Sequence, residues 1–252
     1  MIFHALSLLA AQAASVLSPG EQARLDLCLD EARRDPPTAI ATAGQWLTEA
    51  SGPGRALPQQ CLGQAYVALL RWEAAEAAFL AGRDLATDDQ LQARLGAMAG
   101  NAALAAGRWE AALAALATAQ VDAAAAGDAA LSATIAADRA RALVGLGQLD
   151  GAKAVLDRAR ADHPQDAEVW LLSATLARRM DHLADAAALI AVAAALAPDE
   201  PQVVLEAGVI AVLAGDEEAA RGNWELVREL APGSAEAATA AGYLSQHDEG
   251  GE

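Results

Sequence analysis

The sequence predicts an all-α fold, an α-solenoid of stacked antiparallel helix pairs, from three observations. First, 54% of the 252 residues are hydrophobic but only 4% are aromatic, and alanine supplies much of the apolar content. Alanine favours helix, whereas the β-branched residues that favour strand are sparse. Second, a short motif recurs along the chain. Third, small and large apolar residues repeat at offsets that share one helical face.

The recurring motif is clearest in residues 71–75 and 108–112, which both read Arg-Trp-Glu-Ala-Ala. Looser versions follow at 148–152, 182–186 and 216–220. The spacings between the last alanines of successive motifs are 37, 40, 34 and 34 residues, between Ala75, Ala112, Ala152, Ala186 and Ala220. A fixed period of this length is typical of repeat proteins built from helix pairs.

Each repeat combines one large and one small residue at fixed offsets from its motif. Four residues after the motif alanine stand Phe79, Leu116, Leu156, Ile190 and Trp224. Twelve residues before it stand Gly63, Gly100, Ala140, Ala174 and Gly208. We therefore expect an antiparallel helix pair per repeat, with Ala or Gly at the close contact and the large side chain wedged toward the neighbour.

The elements follow in order along the chain. Residues 1–14 are apolar and end in small residues, which predicts a signal peptide. They contain no Lys or Arg, so the alternative is an N-terminal helix docked on the repeats. A degenerate helix pair is expected at 19–55, broken at Asp35-Pro36-Pro37, and about five repeats at 56–233. A capping helix at 234–246 and a disordered tail at 247–252 complete the chain.

The repeats resemble the tetratricopeptide repeat. The resemblance rests on Leu62-Gly63-x-x-Tyr66 with Ala75 and Phe79 in one unit, and on Trp170, Ala174, Ala186, Ala193 and Pro198 in a later one. It implies a right-handed solenoid in which the first helices of successive repeats line a concave groove that binds an extended peptide or a partner helix. The second and third repeats are longer than the family's usual unit, so their register stays open.

The two cysteines, Cys28 and Cys61, predict a structural disulfide if the protein is exported to an oxidising compartment. The resemblance puts them on the first helices of adjacent units, where such a bond would staple the degenerate pair to the next repeat. The alternative is a pair of buried free thiols in a cytoplasmic protein.

Composition and motifs argue against several functions. A formal net charge of −17 disfavours nucleic acid and anionic membrane surfaces, and no segment is long and apolar enough for a stable membrane span. None of the four histidines has a spaced His, Cys or carboxylate partner, and no phosphate-binding glycine loop is present. We therefore expect no enzyme activity, no cofactor and no metal site.

The groove that the resemblance implies would carry amides and arginines, which suit a partner's acidic segment or C-terminal carboxylate. The predicted groove residues are Gln60, Gln64, Arg94, Asn101, Arg141, Thr175 and Arg178. The alternative is that the arginines are solvated and offset nearby acidic residues. Toward the C-terminus the groove turns apolar, which would suit a partner helix.

These observations predict a non-catalytic scaffold for protein–protein interaction, located in the periplasm or secreted, with the cytoplasm as the alternative. A second interpretation is a structural subunit of a cell-envelope complex that associates through the edges of the solenoid. The partner and the oligomeric state are left open by the sequence.

Overall fold

The computed structural model describes residues 17–250, which form thirteen α-helices and a short 3₁₀ turn (Gly52–Arg55), with no β-strand in this part of the chain. The predicted signal peptide at residues 1–14 lies outside the described residues. The helices are α1 (Pro19–Arg34), α2 (Pro36–Glu49), α3 (Ala56–Ala68), α4 (Trp72–Leu85), α5 (Asp89–Ala105), α6 (Trp109–Ala126), α7 (Ala129–Gly145), α8 (Leu149–Asp162), α9 (Ala167–Arg179), α10 (Leu183–Leu196), α11 (Pro201–Leu213), α12 (Glu217–Leu230) and α13 (Ala235–Gly250).

The helices stack as antiparallel pairs in two layers. Each helix packs against the next along the chain, and odd-numbered helices also contact each other from pair to pair, as α7 does with α5 and α9. The odd helices of successive pairs lie closer together than the even helices do. The odd helices therefore form the inner, concave side of the solenoid. The predicted α-solenoid of stacked helix pairs is confirmed.

Local sequence explains where many of the helices begin. Aspartate side chains accept a hydrogen bond from the backbone N–H three residues later and so cap the first turn of five helices. These aspartates are Asp35, Asp88, Asp128, Asp166 and Asp216. Ser18 and Glu21 form a reciprocal capping box at the start of α1.

The contacts between small and large residues hold each helix pair together. A Cβ placed on Gly63 would lie 2.4 Å from Phe79 Cε1, and one on Gly100 would lie 2.4 Å from Leu116 Cγ. The large side chain of the second helix therefore rests directly on the backbone of the first. The buried residues form a row of separate clusters along the solenoid, as expected where each repeat contacts mainly its neighbours.

The extra residues of the second and third repeats lie within helices. Helices α5, α6 and α7 have 17, 18 and 17 residues, whereas α9 to α12 have 13 or 14. The longer repeats therefore keep the same pairing, with an added turn in the helices. The final helix, α13, continues to Gly250, four residues beyond the expected end of the capping helix.

The turn within each of these helix pairs contains a residue in the left-handed backbone conformation. Gly107, Gly147 and Gly215 take this place with φ between 70° and 84°. Two non-glycine residues take the same conformation in the equivalent turns, Leu70 at φ 56° and Asp181 at φ 62°. Leu70 is also 68% exposed, so its side chain contributes little packing to offset the backbone strain.

A disulfide joins the first two odd helices. Cys28 of α1 and Cys61 of α3 are bonded, with their Cα atoms 5.9 Å apart. Both side chains are buried. The bond therefore ties the degenerate first helix pair to the first complete repeat.

Candidate functional site

Three cavities lie one after another along the inner face of the solenoid. Their volumes are about 180 Å³ between α3, α4 and α5, about 570 Å³ around α7 and α9, and about 400 Å³ between α9, α11 and α13. We call them the N-terminal, central and C-terminal cavities, and together they form the inner groove. The central and C-terminal cavities are adjacent, since Leu172 and Thr175 line both of them.

The N-terminal cavity is small and lined by both amide and apolar side chains. Gln64 of α3 and Asn101 of α5 face it, beside Trp72 at the first position of α4. Val67, Phe79 and Met98 supply its apolar surface. Amides next to an aromatic ring can bond a peptide backbone while the ring packs on a side chain.

The central cavity owes its shape to a glycine in the following repeat. Trp109, the first residue of α6, packs so closely on Gly145 of α7 that a Cβ there would lie 2.4 Å from Trp109 Cδ2. The indole therefore lies against α7 at the cavity wall. Leu104, Val144 and Leu172 add apolar surface. The charged residues that line the cavity are Arg141 and Arg179.

The C-terminal cavity combines apolar side chains with a larger share of polar ones than either of the other two cavities. Leu171, Leu205 and Val209 line it together with Tyr243, whose ring lies 5.2 Å from that of Trp224. Its polar side chains include Arg178, Glu206, Gln202 and Glu236.

Arg141 is held by two carboxylates of the chain itself. It donates to Asp138 at 2.7 Å within α7 and also pairs with Glu168 of the next odd helix. Asp138 is buried, and one of its oxygens, Oδ2, has no hydrogen-bond partner among the described residues. Burial raises the pKa of Asp138, while the Arg141 guanidinium and the Asn101 amide oppose that shift.

Arg178 is held in the same way by the next repeat. Its Nε donates to Glu206 Oε1 at 2.7 Å and its Nη2 to Oε2 at 3.2 Å, which gives a two-point pair between α9 and α11. The side chains are 25% and 13% exposed. Two of the three predicted groove arginines are thus already bound to carboxylates within the molecule.

The structure brings five of the seven predicted groove residues onto the three cavities, namely Gln64, Asn101, Arg141, Thr175 and Arg178. Gln60 is buried between helices and lines none of them. Arg94 is exposed on α5, outside the cavities. The sequence interpretation missed several lining residues: Trp72, Trp109, Leu172, Arg179 and Glu206. The two tryptophans stand in the repeated motif, which was a signal that could have found them.

A further cavity of about 310 Å³ lies between α8, α9 and α10, on the far side of Leu156 and Leu176, which also line the central cavity. Its basic residues Lys153 and Arg160 both pair with Asp157, at 2.8 and 2.6 Å. Between residues 17 and 246, no group of three or more His, Cys, Asp or Glu side chains could hold a metal ion. Nor does any helix in that range have the length and apolar character of a membrane span.

The comparisons with known proteins agree with the repeat architecture. Residues 133–176, from α7 to α9, match the family model described as tetratricopeptide repeat. No curated protein matches the chain.

Several solved structures share the fold. One is PilF of Pseudomonas aeruginosa, with a TM-score of 0.65 and 16% identity, covering 90% of this chain and 97% of that one. PilW, described as a widely conserved type IV pilus biogenesis factor, has a TM-score of 0.66 and 17% identity, covering 89% and 100%. A thermophilic tetratricopeptide-repeat protein of Thermus thermophilus has a TM-score of 0.60 and 20% identity, covering 75% and 98%.

Identities of this size carry information about the fold alone. The family model covers one repeat unit in the middle of the described chain, and the three solved structures cover most of the helix pairs on either side of it. Residues 133–176 therefore match the tetratricopeptide repeat by sequence, and the described residues on either side of them share the tetratricopeptide-repeat fold.

Proposed function

We propose that the inner groove binds a peptide or a partner helix of another protein, without catalysis. The observation that carries this proposal is the row of three cavities along the odd helices, lined by partly exposed apolar, aromatic and amide side chains. An extended or helical segment lying along the row would bury apolar side chains in the cavities. Amides and guanidinium groups at the walls would then orient its backbone and its carboxylates.

We further propose that the protein works in the periplasm or outside the cell. The Cys28–Cys61 bond supports this location, because disulfides persist in oxidising compartments. The fold shared with PilW, a pilus biogenesis factor by its description, is compatible with a role in the cell envelope. Intact-mass measurement of the protein expressed with its own N-terminus tests the export step, since loss of about the first thirteen residues is expected. An uncut chain with two free thiols would favour the cytoplasm.

A second candidate function is assembly through the edge of the solenoid. The observation in its favour is Leu70, an exposed leucine held in a strained left-handed turn at the edge where α3 meets α4. Strained backbone conformations cluster at sites where proteins bind ligands or switch state. In this case a copy of the chain or an envelope protein would cover the turn and leave the groove free.

Site-specific photocrosslinking separates the two functions. The photoreactive residue p-benzoylphenylalanine is placed at Asn101 and Thr239 in the groove, at Leu70 on the edge, and at Thr118 on the outer layer as the control. All four positions are exposed. Adducts from the two groove positions, identified by mass spectrometry, would support groove binding. Adducts from Leu70 alone would support edge assembly, and equal labelling at Thr118 would contradict both.

A further inference from the structure

Arg179 differs from the other arginines of the inner groove in having no carboxylate partner. It is the last residue of α9, is exposed, and lines the central cavity. Neither Asp nor Glu lies within ion-pair distance of its guanidinium among residues 17–246. Arg141 and Arg178, by contrast, are each bound by carboxylates of the chain. A partner's carboxylate would have to displace an existing one to bind Arg141 or Arg178, whereas it can bind Arg179 directly.

The surroundings of Arg179 are apolar. The cavity that it lines also exposes Trp109, Val144 and Leu172. An acidic residue bound at Arg179 would therefore place its neighbouring side chains over hydrophobic surface. A guanidinium beside such a surface makes stronger charge-assisted hydrogen bonds than one in open water, because the local dielectric is lower.

The groove continues on both sides of this position. Leu172 and Thr175 also line the C-terminal cavity, and Leu104 lies one turn of α5 after Asn101, which lines the N-terminal cavity. A chain bound along the row would thus pass Arg179 and continue in both directions. This geometry suits an acidic side chain within a segment better than a carboxylate at its end.

From these observations, and resting on the proposed function, we propose that Arg179 is the residue that recognises the partner. The partner is a protein segment with an internal Asp or Glu flanked by apolar residues, which occupy the central and C-terminal cavities. The chain's overall negative charge opposes such a partner only weakly at short range, because charges on distant surfaces are screened beyond about 8 Å at physiological ionic strength. The direct contact at Arg179 then decides which sequence binds.

A library of random peptides tests the proposal with the full-length protein. Peptides of about twelve residues span about 40 Å when extended, enough to cross neighbouring cavities between helices about 10 Å apart. They are displayed between two folded flanks so that neither end is free. Selection is run against the wild type, Arg179→Glu and Arg228→Glu. Arg228 is the matched control, since it is also exposed in the last turn of its helix but lies on the outer layer.

The expected result is an acidic residue between apolar ones in peptides selected by the wild type and by Arg228→Glu. Peptides selected by Arg179→Glu should lose the acidic residue or replace it with Lys or Arg. The same acidic preference with Arg179→Glu would overturn the inference while leaving groove binding intact. Failure of every protein to enrich any sequence would count against the proposed function itself. Enrichment only when the peptides are displayed with a free C-terminus would also overturn the inference, in favour of a terminal carboxylate.

Fluorescence anisotropy with one selected peptide then measures the contact. Changing the peptide's acidic residue from Glu to Gln should weaken binding to the wild type about tenfold. The same change should alter binding to Arg179→Ala less than about twofold, because the charge partner is already missing. Equal losses for both proteins would show that the acidic residue acts elsewhere and would overturn the assignment to Arg179.

Discussion

Arg178 of α9 and Glu206 of α11 form a two-point ion pair across neighbouring repeats, with Nε–Oε1 at 2.7 Å and Nη2–Oε2 at 3.2 Å. Both side chains are largely shielded from water on the inner face. The pair therefore joins two odd helices directly, in addition to their apolar packing.

Replacing Glu206 by Gln should lower the free energy of unfolding by about 1–2 kcal/mol, because a shielded guanidinium loses its charged partner. Urea denaturation followed by circular dichroism measures the change. Asp162→Asn is the control, since its partner Arg158 is 79% exposed. The loss there should be about 0.5 kcal/mol or less. Equal effects of the two substitutions would show that the inner pair adds no more to stability than an exposed pair does.

Leu70→Gly should stabilise the protein by about 0.5–1 kcal/mol. Leu70 has a φ of 56° and an exposed side chain, so glycine relieves strain at little cost in packing. Leu27→Gly is the matched control, because Leu27 is equally exposed but lies inside α1. That substitution should destabilise the protein by about 1 kcal/mol. A loss of stability for Leu70→Gly in urea denaturation would contradict the strain argument.

Gly100→Ala should destabilise the protein by about 1–3 kcal/mol, because the new methyl group would meet Leu116 at 2.4 Å. Gly222→Ala lies in a helix with no heavy atom within 4 Å of the added Cβ. It should instead stabilise the protein by about 0.5–1 kcal/mol through helix propensity. Thermal denaturation of the two variants side by side checks the difference in sign.

Reduction of the Cys28–Cys61 bond should cost about 3–4 kcal/mol by the chain-entropy model, given a sequence separation of 33 residues. Hydrogen exchange with and without reductant measures where the loss falls. We expect it in α1 and α2, which the bond ties to α3. A loss spread evenly to α11 and α12 would contradict this, because repeats interact mainly with their neighbours.

The stability of the protein should depend on pH through Asp138. Burial raises the pKa of this carboxyl, although Arg141 and Asn101 oppose the shift. The native state therefore takes up a proton at higher pH than the unfolded chain, so the wild type gains stability as the pH falls through the native pKa toward the ordinary one. Asp138→Asn lacks this gain. The free energy of unfolding of Asp138→Asn minus that of the wild type should therefore be larger at about pH 7 than at about pH 4. A difference that is the same at both pH values in urea denaturation would contradict the prediction.

The fold was predictable because its determinants are local and repeated. The offset between Gly63 and Phe79 shows which residues touch within a helix pair, and the same offset recurs in each unit. Asp35 and the prolines after it mark a boundary through capping chemistry that acts over three residues. Each signal could be read without knowing how the repeats stack.

The site was less predictable because its chemistry depends on contacts between repeats. Arg141 was placed on the inner face from its position in the repeat, but its partner Glu168 lies 27 residues away in the next unit. The role of Trp109 depends on Gly145, 36 positions later, which lets the indole pack against α7. Side-chain partnerships across such separations follow from the stacking geometry, which periodicity alone does not specify.

The ion pairs between repeats lie on the outer layer in the N-terminal half of the solenoid and on the inner layer in the C-terminal half. Arg83–Asp122 links α4 to α6 on the outer layer, whereas Arg141–Glu168 and Arg178–Glu206 link α7, α9 and α11 on the inner layer. An outer tie resists an increase in curvature, and an inner tie resists straightening. The Cys28–Cys61 bond adds an inner tie between α1 and α3. The first helix pairs and the C-terminal half therefore both resist straightening, whereas the outer tie between α4 and α6 limits how tightly the middle of the solenoid can close around an entering segment.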